Sequence, residues 1–243
     1  MTESLYITES YDQIYRWVES RYGSSQIALF QPSFESVNQR LGFANYHLQQ
    51  AENLMADAVQ GTSPLEPLLW LTGARSENTA KLQEAMVWGH AHVLAALQNP
   101  HASADLLAHA IYYGTGMNLC STTKLKERDI SSLKVISRIQ APLIKAAFET
   151  LTNQEDYRYL ADLTNRSKHR SIVSMPVQID LLRATQPELF FDAFQHDSRN
   201  HPKRPAFYFL RQEHRRVADA AARTILALIE TLKESPATQV KII

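Results

Sequence analysis

The run Leu163-Thr-Asn-Arg-Ser-Lys-His-Arg170 gathers Asn165, Arg166, Lys168, His169 and Arg170 into one short stretch. A planar guanidinium, an ammonium and a titratable imidazole can together hold a phosphate or transfer a proton. Further along, Arg204 and Arg211 join them as candidate anion ligands. They belong to a cluster of Arg199, Lys203, Arg204, Arg211, His214, Arg215 and Arg216, interleaved with Phe207, Tyr208 and Phe209. Basic and stackable side chains together suit single-stranded nucleic acid. Each cluster also has a plainer reading. Cations in a last helical turn answer the negative end of the helix dipole by about 0.3–1 kcal/mol, and Glu155 and Asp156 would supply the matching acidic first turn. The downstream cluster can equally be a solvated loop and an amphipathic helix start, with its aromatics in the core.

Other residues offer weaker chemistry. His101, Asp105 and His109 stand four apart, so on one helix they would share a face and could ligate a metal. With Ser103 as a helix cap, however, His101 falls outside that helix. No Glu-x-x-His pair exists, which removes the carboxylate-bridged di-iron pattern of helical bundles. His90 and His92 are offset by about 200° on a helix and should not share a metal; at least one is expected to be half-buried beside Trp88 or Val93. Gly114-Thr-Gly116 lacks a preceding strand and the rest of a dinucleotide fingerprint, so its expected role is to end a helix. Cys120 sits in no nucleophile elbow and is expected to be a buried small hydrophobe. The expectation is no metal and no cofactor.

The elements that must position these residues are mostly helical. Residues 1–32 read as irregular, with a short helix near Tyr11 to Ser20. Phe34, Val37, Leu41, Ala44, Leu48, Ala51, Met55 and Ala58 recur in steps of three and four, predicting a helix over about 33–60 that starts after Pro32 with Ser33 as cap. A second helix is predicted over 77–98, with Leu82, Met86, Gly89, Val93 and Ala96 inward. Ser76 would cap it and Asn99-Pro100 would stop it. Gly89 and Ala96 would permit close helix approach, and the Gly- and Pro-containing loop over 61–76 would make the pair a hairpin. Further helices are predicted over 102–113 and 133–151, the latter broken near Gln140 by Pro142, with Ile136, Ile139, Leu143, Ala147 and Leu151 inward. Another spans 154–166 behind an Asn153 cap. Ile172, Val173, Val177, Ile179 and Leu181 suggest a strand paired with Phe207–Leu210, separated by a polar loop over 195–205. The last helix covers 211–234 with Val217, Ala221, Ile225, Leu228 and Leu232 inward, and the tail after Pro236 is expected to be loose. The whole is mainly α: a single helical-bundle domain over 1–243 with a small β-hairpin or irregular insertion, 171–208, before the last helix.

The chain's 243 residues and 44% apolar content suffice for a core. Twenty-five basic residues balance twenty-five acidic ones, which does not suggest a dedicated nucleic-acid binder or a polybasic membrane protein. The balance is uneven: residues 1–150 carry a net −3, and residues 158–216 carry eleven Lys and Arg against six Asp and Glu, a net +5. An anionic ligand therefore belongs in the later segment. One cysteine allows neither an internal disulfide nor a cysteine-based metal site, consistent with a reducing, cytoplasmic setting. No signal peptide and no membrane span are expected.

Asn165-Arg166-Ser-Lys168-His169-Arg170 resembles the polar motif near a helix end in the HEPN superfamily, and Ala51-Glu-Asn-Leu-Met55 is similar to that family's amphipathic helices. The resemblance implies a bundle of helices, dimerisation and, in many members, metal-independent RNA cleavage. The family's ribonucleases space their arginine and histidine more widely than Arg166 and His169 stand. The leading expectation is therefore a regulatory or binding protein, rather than an enzyme, that engages a nucleotide or RNA near Asn165–Arg170 and forms a homodimer. One alternative is a ribonuclease with His169 as acid or base and Arg166 or Arg170 stabilising phosphate charge. Another is a structural subunit whose exposed apolar helix faces bind another protein.

Overall fold

A computed structural model describes residues 5–61, 72–73, 77–178 and 188–234. Among them are seven helices: α1 (Leu5–Tyr22), α2 (Ser24–Val59), α3 (Glu77–Gly114), α4 (Ser132–Arg138), α5 (Pro142–Thr152), α6 (Glu155–His169) and α7 (Ala206–Glu234). Five short strands precede α7: β1 (Val177–Gln178), β2 (Glu188–Phe191), β3 (Phe194–His196), β4 (Arg199–His201) and β5 (Arg204–Pro205). The protein is thus mainly α with a small antiparallel insertion before its last helix. No described helix is long and apolar enough to cross a membrane.

Two prolines that should punctuate the chain do not. Pro32 lies inside α2, which starts at Ser24, and the segment expected to be irregular is instead α1 and the beginning of α2. Pro100 lies inside α3, so the two helices expected over 77–98 and 102–113 are one. A mid-helix proline removes one backbone hydrogen bond and crowds the preceding turn. Here the Asn99 side-chain Nδ2 donates to the Ala95 carbonyl at 2.8 Å, and Asn99, Ser103 and Ala104 are all buried. Packing on both sides of the proline outweighs the lost bond, and Ser103 becomes an interior residue rather than a cap.

The chain divides into two compact units. The first comprises Met1–Arg40, Ala102–Gln154 and Arg216–Ile243. Its core holds Ile14, Val18, Phe30, Phe34, Leu107, Ile111, Ile144, Phe148, Leu151, Val217 and Leu228. Phe30 and Phe34 stack at 5.0 Å, with the Tyr15 ring edge-on to both. Gly114 ends α3 as expected, and what calls for glycine there is space rather than backbone conformation: a Cβ would stand 2.9 Å from the Phe30 ring and 3.3 Å from Leu228. The break at Pro142 is also observed, Pro142 opening α5. The inward face is only partly the expected one: Ile139 and Leu151 are buried as expected, but Val135, Ile144 and Phe148 are buried too and Leu143 is exposed, because the break resets the helical phase.

The second unit comprises Leu41–His101 and Glu155–Arg215. The α2 seam continues here through Ala44, Leu48, Ala51 and Met55, as the three-four spacing predicts, and Leu82, Val93 and Ala96 bury the facing side of α3. A Cβ on Gly89 would meet Met55 at 3.8 Å, an ordinary distance, so close approach does not require glycine there. In the insertion, β1 pairs with β2 (Val177 with Leu189) and β2 pairs with β5 (Phe191 with Arg204). β3 pairs with β4 as a separate hairpin. Phe207–Leu210 is therefore not the partner strand; it forms the first turn of α7, where Phe207, Phe209 and Leu210 are buried at helical spacing. The polar stretch 195–205, expected to be a loop, supplies β4 and β5 and the end of β3; burial alternates along β3, with Phe194 and His196 inward and Gln195 outward, but the second inward place is taken by a histidine rather than an apolar residue. Ile179, Leu181, most of the loop over 61–76 and the tail after Pro236 lie outside the described residues.

Candidate functional site

α6 extends to His169, three residues past the expected end, and its final turn carries Arg166, Lys168 and His169 opposite Glu155 and Asp156 in its first turn. Asn153 is the C-terminal cap of α5. Side chains four apart on a helix lie one above the other. Asp162, Arg166 and Arg170 form such a stripe, and the stripe grips the β3–β4 hairpin. Arg199 Nη2 donates to Asp162 Oδ1 at 2.8 Å, and His201 Nε2 donates to Asp162 Oδ2 at 2.7 Å. Because an ionised carboxylate only accepts, that bond fixes the proton on Nε2 of His201. Arg166 Nη1 donates to the Gln195 carbonyl at 2.6 Å, and Arg170 Nη2 to Asp197 Oδ1 at 2.6 Å.

The hairpin is shaped to meet this stripe. His196 pairs with Arg199, leaving a two-residue turn of Asp197 and Ser198. Asp197 adopts a left-handed conformation, φ 51°, which aspartate tolerates better than most residues. Arg170, then His196, hold the Asp197 carboxyl below its usual range. Behind the hairpin, Tyr159, Phe194, His201 and Phe209 form an aromatic cluster with ring centroids 4.6–5.2 Å apart. Burial pushes the Tyr159 phenol well above its ordinary pKa. Arg166 Nε and His196 Nδ1 are enclosed with no hydrogen-bond partner among the described residues.

The seven candidate anion ligands do not converge. Arg166 and Arg170 face the hairpin. Arg204 pairs with Asp156 and lies 4.5 Å over the Tyr159 ring. Arg211 pairs with Glu52 at 2.7 Å. Asn165 and His169 share an adjacent stripe, and Lys168 is rotated about 200° from Arg166. No carboxylate among the described residues pairs with Lys168 or His169. Sequence reasoning does not reach Asp162, His201, Asp197 and Gln195, which complete the arrangement. Asp162 carries a signal, as the residue one helical turn before Arg166, but its hairpin partners cannot be chosen without the fold.

The remaining candidates separate too. His101 stacks on Tyr157, the His109 ring bonds the Asp105 carbonyl at 2.8 Å, and the Asp105 carboxylate accepts the Ser132 N–H. Among the described residues no group of three or more metal-ligating side chains converges. His90 is partly buried, and burial lowers its pKa. Cys120 is exposed, not buried. It borders a cavity of about 210 Å³ in the first unit, lined also by Arg21, Tyr22, Gly116, Gln140 and Thr231. The Thr122 hydroxyl, 3.1 Å away, then the Thr122 amide and the Thr123 hydroxyl, lower the thiol to about 7. The turn that begins at Gly116, φ 68°, aims residue 120 outward, and nothing in the sequence signals that.

Comparison with protein-family models, curated proteins and solved structures finds no match.

Proposed function

We propose that this is a binding protein, not an enzyme, which engages an anionic partner of the nucleotide or RNA class at the end of α6 and the β3–β4 turn. The observation that carries the reading is the pair Arg170 and Arg199. Each uses one guanidinium N–H on a carboxylate, and their side chains remain 51% and 53% exposed. A guanidinium has five N–H donors, so Asp162 and Asp197 orient these two without exhausting them. His169, without a carboxylate partner among the described residues, lies beside Arg170, and Lys168 adds to the field from the other side of the helix. The resemblance of Asn165–Arg170 to the HEPN motif, and a cytoplasmic setting, belong to the same proposal.

Fluorescence anisotropy with a short single-stranded RNA, titrated across a salt series, tests it. The double variant Lys168→Ala with Arg170→Ala should weaken binding and flatten the dependence of log K on log salt by about 0.7 for each phosphate no longer neutralised. Unchanged affinity at every salt concentration refutes the reading.

A second reading rests on the exposed aromatics of the second unit. Phe43 and Tyr46 on α2, and Val87 and Trp88 on α3, are all more than half exposed. A contiguous patch of large apolar side chains marks an interaction surface, and this reading takes these four as one patch. In this reading the face covers a second copy of the chain. Light scattering should then show a dimer that Trp88→Glu with Phe43→Glu dissociates; a monomeric wild type excludes it.

A further inference from the structure

His47 on α2 and His92 on α3 bring their Nδ1 atoms within 2.8 Å of each other. The two rings are tilted by 39° with centroids 5.1 Å apart. Forty-five positions separate them in the chain, so only the packing of the two helices places them together, and no sequence spacing announces the pair. Both rings are partly exposed, in contrast to the buried Leu48 and Val93 beside them.

We infer that His47 and His92 form a bidentate site for a divalent late transition metal, copper(II) or nickel(II) foremost. Imidazole nitrogens bind such metals at about 2.0–2.1 Å. Two of them in adjacent positions of a square or octahedral complex stand about 2.9 Å apart, and in a tetrahedral complex about 3.4 Å. The observed separation fits the former without parting the helices, each ring turning by about 45° so that both lone pairs meet at the metal, and the latter also requires the helices to part slightly. That geometry favours copper and nickel over zinc, in line with the general affinity order for nitrogen ligands. Hard cations such as magnesium, which select oxygen ligands, have no reason to bind.

The proton accounting is simple. In the metal-free pair, one Nδ1–H donates to the lone pair of the other Nδ1. The metal takes the place of that shared proton, which moves through solvent to Nε2 of the same ring. Both rings stay neutral, and each presents an Nδ1 lone pair. Burial, then the charge His92 would carry, hold the His47 ring in the neutral form that a metal needs. Because no third ligand converges among the described residues, water completes the coordination shell through the exposed side.

Untagged full-length protein, stripped with a chelator and desalted, tests this by calorimetric titration with copper(II), nickel(II) and zinc(II) in excess magnesium. The expected result is one saturable equivalent, in the order copper, nickel, zinc. It should be lost in His47→Ala and in His92→Ala and kept in His169→Ala, which removes an exposed histidine elsewhere. Histidine-labelled wild type provides a readout that needs no variant: zinc should shift the Nδ1 resonances of two of the nine histidines and leave the others. Absence of saturable binding, an equivalent retained in both alanine variants, or zinc shifts confined to other histidines would overturn the inference.

Discussion

Removing the Asp162 carboxylate should loosen the insertion from α6, and the structure gives the size of the effect. The side chain is only 5% exposed and accepts from two donors. A hydrogen bond to a charged group contributes about 1.5–3 kcal/mol. The His201 bond merits that range, since the ring is nearly enclosed between Phe194 and Tyr159. The Arg199 bond contributes less, about 0.2–1 kcal/mol, because the guanidinium is half exposed and water can replace the carboxylate. Asp162→Ala should therefore cost about 2–4 kcal/mol. At about 2–4 °C per kcal/mol for a chain of this size, the melting temperature should fall by about 4–16 °C. Asp162→Asn keeps the shape and one acceptor, so its cost should be smaller. Arg199→Ala should cost least, because the buried carboxylate keeps His201. Thermal unfolding followed by circular dichroism gives the ranking. Hydrogen exchange should also show the β3–β4 amides losing protection before the rest. If Asp162→Ala and Asp162→Asn both stay within about 0.5 kcal/mol of wild type, the range expected of an uninvolved surface site, the anchoring argument is wrong.

Alkylation of Cys120 by iodoacetamide should rise with pH around a midpoint near 7, and Thr122→Val should move that midpoint upward by removing the hydroxyl that supports the thiolate. Gly114→Ala should destabilise the first unit by about 1–3 kcal/mol in a denaturant melt, because the new methyl meets the buried Phe30 ring. The Asp197 carboxyl is held below its unfolded value, so its contribution is present at neutral pH and is lost as pH falls below about 4. Amide exchange at the hairpin turn should accelerate there in wild type, and Asp197→Asn should already exchange fast at neutral pH. Incubation of wild type with mixed RNA in EDTA should give no more cleavage than His169→Ala, since no base or orienting partner meets His169 among the described residues.

The helical seams are legible in the sequence because burial repeats with the helix: Ala44, Leu48, Ala51 and Met55 lie where the three-four pattern places them. The α6 dipole pattern is legible for the same local reason. What escapes a local reading is set by distant partners. Pro100 stops an isolated helix, yet α3 runs through it because residues on both sides are buried. Phe207–Leu210 is aromatic enough for a strand, but its burial at Phe207, Phe209 and Leu210 belongs to a helix start. Short strands of two to four residues carry too few side chains to show alternation, so the insertion stands out as different while its pairing stays hidden.

The same limit explains the basic motif. Counting Arg166, Lys168, His169 and Arg170 as one positive group ignores that a helix distributes neighbours around its axis. Two of the four face the hairpin and hold structure, while the other two point elsewhere. A net +5 over residues 158–216 is therefore not a +5 surface: within the segment Asp162 and Asp197 already hold Arg199 and Arg170, and from outside it Asp156 and Glu52 offset Arg204 and Arg211, which leaves +3. What survives is a small field of exposed cations whose orientation two of those carboxylates fix. Such a field predicts affinity that is modest and strongly weakened by salt. Loss of Asp162 and loss of Lys168 should then act differently. The first disorders the hairpin that presents Arg199, changing both stability and binding. The second costs at most the about 0.3–1 kcal/mol of a cation at a helix end and lowers only the salt-dependent part of binding. If both variants shift melting temperature and RNA affinity in the same proportion, the arginines serve the fold alone.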